Sequence, residues 1–400
     1  MFGKFNIANT VLVGMSQAVS VRPERCSRMC HKSAVCMLCE TNCPTQAIKV
    51  GAVGTKISVE WEKCTYCGIC VNICPTGVYG VREMSYASFL DTYLQKLTDK
   101  DVLKLSCKES TKQNEEDIIE QVPLSREDIL AARTARLRSG ITGALHLPDR
   151  EKAALIECIG ILGVPDILYL YTRGAKEIHL EFPKCEKCHN LHGRGIFEDE
   201  LDELEKLAGY FENLNGIQIT RTESEIKIIF PIQFEKKIVT KNEEKSAART
   251  QQVTRRGMFD LLRKNAADTA LRSASLLTPQ EIPNRTIFSD VKEVPVKRKI
   301  FLDSIINLGK LLKEDISVDP YFFSMEINNE KCTFCKICTR FCPTGALCVS
   351  EDGKQIQFTA AYCTSCGMCK ISCYQKYIKI HKNAHLKDFF SAIVKFTKKE

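Results

Sequence analysis

The sequence predicts an α+β protein in which two small cysteine-rich modules flank a small α/β domain with a mostly parallel sheet. Three observations carry this reading. The stretch CTYCGICVNICPTG at 64–77 returns near the far end as CTFCKICTRFCPTG at 332–345. The 22 cysteines crowd toward the two ends, with only Cys107, Cys158, Cys185 and Cys188 between. The middle alternates short strand-like runs with helical patterns. The implied boundaries are 1–98 for the N-terminal module, 99–234 for the α/β domain, 235–320 for a basic helical and extended connector, and 321–400 for the C-terminal module.

Bulk composition narrows the class. A chain of 400 residues suggests about two to four domains. No run approaches the length of a membrane helix. The N-terminal MFGKFNIANTVLVGMSQAVS is mildly apolar but lacks the charged start and long apolar centre of a secretory signal. A cytoplasmic, soluble protein is expected. The net charge of +8 suits acidic protein partners as well as nucleic acid. Dense, regular cysteines in such a chain argue for metal rather than disulfides.

In the N-terminal module the cysteines are Cys26, Cys30, Cys36, Cys39 and Cys43, then Cys64, Cys67, Cys70 and Cys74. The C-terminal module holds Cys332, Cys335, Cys338 and Cys342, then Cys363, Cys366, Cys369 and Cys373, with Cys348 between. The spacing at 64–74 and 332–342 is C-x2-C-x2-C-x3-C-P. Three thiolates in a tight loop can wrap three corners of an iron–sulfur cube, and the fourth, on the helix that follows, serves the other cube of a pair. Soft thiolates suit that chemistry and deprotonate on binding. Zinc would instead need two C-x-x-C knuckles and no fourth cysteine at x3.

The second motif of each pair departs slightly. CTSCGMCKISCY at 363–374 keeps the spacing but has Tyr374 where proline is expected, which affects the turn and not the thiols. CMLCETNCP at 36–44 has Ser33 at the place of a first cysteine. Its remaining ligand must come from upstream, with Cys26 favoured and Cys30 as a spare.

Both ends resemble bacterial two-cluster [4Fe–4S] ferredoxins, over roughly residues 26–82 and 326–382. The resemblance implies that Cys64, Cys67 and Cys70 hold one cube with Cys43. Cys36, Cys39 and the upstream ligand would hold another with Cys74. Cys332, Cys335 and Cys338 would join Cys373, and Cys363, Cys366 and Cys369 would join Cys342. Four [4Fe–4S] clusters are then expected. Between the paired motifs AIKV should pair with KISVE, and ALCVS with QIQFT around a turn at EDGK. Cys348 falls in that strand and reads as a small buried hydrophobe. Lys336, Arg340 and Lys370 add positive charge to the C-terminal motifs. Charge there would raise a cluster's potential, although such residues commonly form a solvated face.

In the middle, DVLKLSC (101–107), ALIEC (154–158) and EIHLEF (177–182) read as strands, VPDILYLYTRG and FEDELDELEKLAGYFENLN as helices, and IQIT and IKIIF as further short strands. In an open sheet of this type sites form at the carboxyl ends of strands. Cys107, Cys158 and Cys185 fall at or just past such ends, and Cys188 follows at C-x2-C, so the four could hold a fifth site, iron–sulfur or zinc. The layout also resembles the delta subunit of methyl-viologen-reducing hydrogenase through LSC at 105–107, ECIG at 157–160, RGAKEIHL at 173–180 and CEKC at 185–188. Three rivals concern CEKCHNLH at 185–192: a c-type haem attachment, a zinc knuckle using His189 and His192, and a loop with no ligand role.

The connector stretch VTRRGMFDLLRKNAADTALRSASLL reads as a helix with a basic shoulder, able to dock on acidic partners or a membrane surface but more commonly a solvated helix. TPQEIPNRTIFSDVKEVPVKRK, with three prolines, reads as extended. No phosphate loop, dinucleotide fingerprint or nucleophile–base set is present. The expectation is an electron-transfer protein, a subunit or dedicated carrier for an oxidoreductase in an anaerobic metabolism, with redox-protein partners and no nucleic acid. The alternative is an oxidoreductase that uses the middle cysteines for disulfide or sulfur chemistry. A third reading is a scaffold with structural clusters.

Overall fold

The N-terminal part of the computed structural model runs β1 (Val19–Val21), α1 (Ser27–Cys30), α2 (Leu38–Thr41), β2 (Ile48–Val50), β3 (Ile57–Val59), α3 (Ile69–Ile73), β4 (Tyr79–Val81) and α4 (Tyr86–Leu94). The structure describes residues 19–51, 57–81, 85–107, 153–182, 185, 188–231, 292–308 and 311–398. β1 and β4 pair antiparallel, with Val19 opposite Val81. β2 and β3 form a second antiparallel ladder, with Ile48 opposite Val59. The two cysteine loops are thus strung between two short ribbons. α4 starts where the Ser85 hydroxyl accepts from the Ser88 N–H at 3.0 Å, an N-cap of the usual kind. It buries Tyr86, Leu90 and Tyr93 along one stripe.

The middle follows as β5 (Val102–Cys107), β6 (Ala154–Ile156), α5 (Val164–Thr172), β7 (Glu177–Glu181), α6 (His192–Ala208), β8 (Gln218–Arg221) and β9 (Glu225–Ile229). Sheet order is β6-β5-β7-β9-β8. β5 lies parallel to both β6 and β7. β9 runs antiparallel to β7 and to β8. This corrects the expected mostly parallel sheet: it is mixed, with a parallel half and an antiparallel edge. The reason is chain length, because residues 222–224 between β8 and β9 are far too few for a parallel crossover of about a dozen.

The C-terminal part comprises α7 (Val296–Ile306), β10 (Asp315–Ile316), β11 (Ser324–Ile327), α8 (Ile337–Arg340), β12 (Leu347–Val349), β13 (Gln355–Thr359), α9 (Met368–Ser372), β14 (Ile378–His381), β15 (Ala384–His385) and β16 (Ala392–Thr397). Its ribbons repeat the N-terminal plan. β11 pairs with β14 and β12 with β13, all antiparallel, and β16 adds a third strand beside β13. Cys348 sits in β12, half-buried.

One expectation for the connector fails. VKRK at 296–299 is not extended but opens α7, directly after Pro295. Proline stops what precedes it and favours a helix start. α7 then buries Ile300, Phe301, Leu302 and Ile305. It packs against α5 and α4. The basic helix expected at 253–277 and the first part of the proline tract lie outside the described residues.

Among the described residues most buried apolar side chains form one cluster from Val19 to Phe396, and Cys67, Ile69 and Cys158 form a small second one. Segment 292–295 runs between the two cysteine modules. Arg25 pairs with Glu293, the Glu293 N–H donates to the Pro343 carbonyl at 3.2 Å, and Lys292 Nζ donates to the Thr339 carbonyl at 2.7 Å. The His31 and Phe341 rings meet edge-on with centroids 5.1 Å apart.

Candidate metal centres

Three cysteine loops share one backbone path. The residues just before and just after the second cysteine are left-handed in each: Tyr66 and Gly68, Phe334 and Lys336, Ser365 and Gly367, with φ between 53° and 76°. The second of each pair is the N-cap of the helix that carries the third cysteine. The backbone therefore curls around a point, as the compact spacing requires. The loop at 36–43 lacks this curl; Met37, its equivalent N-cap, has φ −119°.

The fourth cysteine of each motif is also set by backbone. Gln46, Gly77, Gly345 and Lys376, each three residues beyond it, are left-handed. This turn brings amides back onto sulfur. The Ala47 N–H donates to Cys43 Sγ at 3.3 Å, Val78 N–H to Cys74 at 3.4 Å and Leu347 N–H to Cys342 at 3.4 Å. The hydroxyls of Thr45, Thr76 and Thr344 lie 3.9, 3.7 and 3.7 Å from the same sulfurs. Sequence reasoning missed these threonines, although C-P-T recurs three times. At the fourth corner Tyr374 and Gln375 replace Pro-Thr, and Tyr374 is 94% exposed.

The thiols gather across motifs. Cys43, Cys64, Cys67 and Cys70 line one cavity. Cys26, Cys36, Cys39 and Cys74 line a second. Cys332, Cys335, Cys338 and Cys373 line a third. The fourth set appears in the electrostatics: burial pushes the Cys366 thiol up to about 12, with the nearby Cys342 and Cys363 adding. Burial likewise raises Cys39 to about 11, with Cys74, Cys26 and Cys36 contributing. Cys338 rises to about 12 by burial, with Cys335, Cys332 and Cys373 adding. In every set the fourth thiol comes from the other motif of its module. Cys30 is turned away, with its Sγ 3.4 Å from the Glu24 carbonyl.

Buried thiols with raised pKa are protonated at neutral pH, so metal uptake must displace protons. Among the described residues no group of three or more His, Cys, Asp or Glu closes on a single ion. All-thiolate quartets spread around a cavity fit a cluster with several corners better than a lone zinc.

A family model described as 4Fe-4S dicluster domain matches residues 32–78, and one described as 4Fe-4S binding domain matches 325–348. Over 51 residues the chain is 41% identical to an uncharacterized ferredoxin of Methanocaldococcus jannaschii, a stretch covering 12% of this chain and 79% of that relative. The chain belongs to the ferredoxin family. Ferredoxin-type 4Fe–4S domains stand at both ends, and electron transfer is the activity they suggest. Among the described residues no helix is long and apolar enough to cross a membrane.

The four middle cysteines of this ferredoxin lie along one sheet edge. Cys107 ends β5, Cys158 follows β6, and Cys185 and Cys188 follow β7, three neighbouring parallel strands. Burial raises Cys185 to about 11, with Cys188 and Cys107 adding. Burial raises Cys158 further, with Cys67, Cys107 and Cys188 adding. Cys158, 5% exposed, packs with Cys67 and Ile69 of the N-terminal ferredoxin module. The Thr65 hydroxyl donates to Asn190 Oδ1 at 2.6 Å across the same boundary. His189 and His192 are exposed, and they join no ion-sized group with Cys185 and Cys188.

Proposed function

We propose that the protein is a cytoplasmic iron–sulfur electron carrier with four [4Fe–4S] clusters, a subunit or dedicated carrier for an oxidoreductase in an anaerobic metabolism. The observation that carries this is the crossed gathering of thiols: three of the four quartets each line a cavity of their own, with one cysteine from the partner motif in each. When bound, each cluster supplies a one-electron couple. The protein's own contribution is to hold the thiolates in place, to donate N–H groups to Cys43, Cys74 and Cys342, and to shield the largely half-buried thiols in part from water. The ligand assignment follows that gathering: Cys43, Cys64, Cys67 and Cys70; Cys26, Cys36, Cys39 and Cys74; Cys332, Cys335, Cys338 and Cys373; Cys342, Cys363, Cys366 and Cys369. Redox proteins are the partners this implies.

A second reading attaches to the middle thiols. Their position against Cys67 favours a further redox station, a fifth iron–sulfur site or a dithiol–disulfide couple fed by the adjacent cluster. The resemblance to the hydrogenase delta subunit supports that reading. Anaerobic iron and sulfide analysis tests the first proposal: four cubes bring about sixteen irons per chain. A value near eight would remove one module from the scheme. Turnover of a disulfide substrate by the purified protein would move the second reading ahead.

A further inference from the structure

Arg298 is the one buried cation among the described residues, 6% exposed. Its donors all go to backbone carbonyls: Nε to Ala361 at 2.7 Å, Nη1 to Tyr321 at 2.6 Å and Nη2 to Ala360 at 3.2 Å. Two of these acceptors lie two and three residues before Cys363. Among the described residues no carboxylate pairs with it. Its neighbour Lys297 differs, because its charge is met by the buried Asp166 at 2.7 Å.

The place matters too. Cys74, Pro75, Arg298, Tyr321, Thr364 and Ser365 all line one cavity of about 400 Å³. The Cys74 side of the N-terminal module and the Cys363 side of the C-terminal module therefore face each other, with Arg298 in the wall. A fixed positive charge in a low-dielectric interior favours the reduced, more negative state of a neighbouring cluster. The cations that sequence reading singled out act less, since Lys336, Arg340 and Lys370 are exposed and screened by solvent and salt. The Leu347 N–H and Thr344 hydroxyl on Cys342 push in the same direction as Arg298. Cys373, in the sister quartet, has no threonine at the matching place.

We propose that Arg298 sets the potential of the cluster held by Cys342, Cys363, Cys366 and Cys369 above the other three, making the module junction the first site to fill with an electron. The proposal rests on the four-cluster reading. The experiment uses the full chain, reconstituted anaerobically, with iron and sulfide analysis first. Fewer than four clusters in the wild type overturns the parent reading and this one with it. With four present, a redox titration followed by electron paramagnetic resonance resolves the reduction steps. Arg298→Gln shifts the highest step to lower potential and leaves the others in place, and Arg298→Lys, which keeps the charge, shifts it less. Cys342→Ala deletes that same highest step, which tests the assignment of that step even where the Arg298→Gln chain does not fold, and Arg298→Lys then tests the role of the side chain. Four clusters with an unshifted titration in Arg298→Gln, or loss of any lower step in Cys342→Ala, overturns the proposal alone.

Discussion

Replacing Lys297 by methionine should loosen the joint between the N-terminal module and the middle domain. Lys297 Nζ donates to Asn72 Oδ1 at 2.8 Å, to the Ile161 carbonyl at 2.8 Å and to Asp166 Oδ2 at 2.7 Å. Its side chain is 15% exposed and that of Asp166 is 0%. Methionine keeps the apolar stem but strands a fully buried carboxylate and frees two further acceptors. Removing one partner of a buried pair costs about 3–5 kcal/mol, mostly the penalty of the charge left behind. At about 2 °C per kcal/mol, the low end for chains of 150–250 residues, Tm falls by about 6–10 °C. Adding Asp166→Asn removes the stranded charge, while its amide oxygen can still accept from the Gly163 N–H, now held at 2.8 Å. The double variant should recover part of the loss. Far-UV circular dichroism melts of anaerobic samples with equal iron content measure this. A single variant within about 0.5 kcal/mol of wild type, or a double variant as costly as the sum of the singles, would refute the reasoning.

Three other outcomes are expected. A Cβ on Gly193 would lie 2.3 Å from Cys158 Sγ, whereas one on Gly195 meets nothing within 4 Å. Gly193→Ala should therefore cost about 1–3 kcal/mol by overpacking, and Gly195→Ala should gain up to about 1 kcal/mol from helix propensity; urea midpoints that fail to separate the two would count against the packing. Burial raises the Glu200 carboxyl pKa, with the Tyr321 hydroxyl and the Val164 N–H opposing. The folded state then holds the proton more tightly than the unfolded chain, so stability falls as pH rises from the ordinary carboxyl range through the raised value. Glu200→Gln, whose amide oxygen can still accept from Tyr321, should lose that slope, and denaturation curves that stay parallel with pH would exclude it. Finally, Cys26→Ala should remove one cluster's worth of iron and visible absorbance, while Cys30→Ala should leave both intact; the opposite pattern would move the ligand by one turn of α1.

The cysteine spacing carried most of the site because it constrains backbone as well as chemistry. A C-x2-C-x2-C loop closes only with left-handed residues at two places, and glycine fills that need at Gly68 and Gly367. Lys336 occupies the equivalent place without that freedom, so local sequence alone would not have marked it as left-handed. The strand pairs around each motif were equally legible, since β2 with β3 and β12 with β13 are sequence neighbours that pair antiparallel. The antiparallel edge of the middle sheet was legible in principle from the three-residue link at 222–224. What hid α7 was its burial. It buries Arg298 and Ser304 along with Ile300, Phe301, Leu302 and Ile305, while Lys299 and Asp303 stay exposed, so polar residues fall on both sides and the helical stripe is blurred in the sequence. The proline tract before it then suggested an extended chain.

Lys297 and Arg298 give two adjacent positive charges two different duties, and the difference lies in what meets them. Lys297 faces a carboxylate, so its field largely cancels at a distance and what remains is a directional clamp between Asn72, Ile161 and Asp166. Arg298 faces carbonyl dipoles, which satisfy its hydrogen bonds but leave its net charge in place. One helix start thus fastens the N-terminal module with a neutralised ion pair and presents an uncancelled charge to the C-terminal thiols one residue later. Were the two residues exchanged, the planar fork of arginine would meet three acceptors that now converge on one nitrogen, and the single ammonium of lysine would meet three carbonyls now served by three separate nitrogens. Both geometries would be worse, which is a physical reason for the order Lys-Arg at this position.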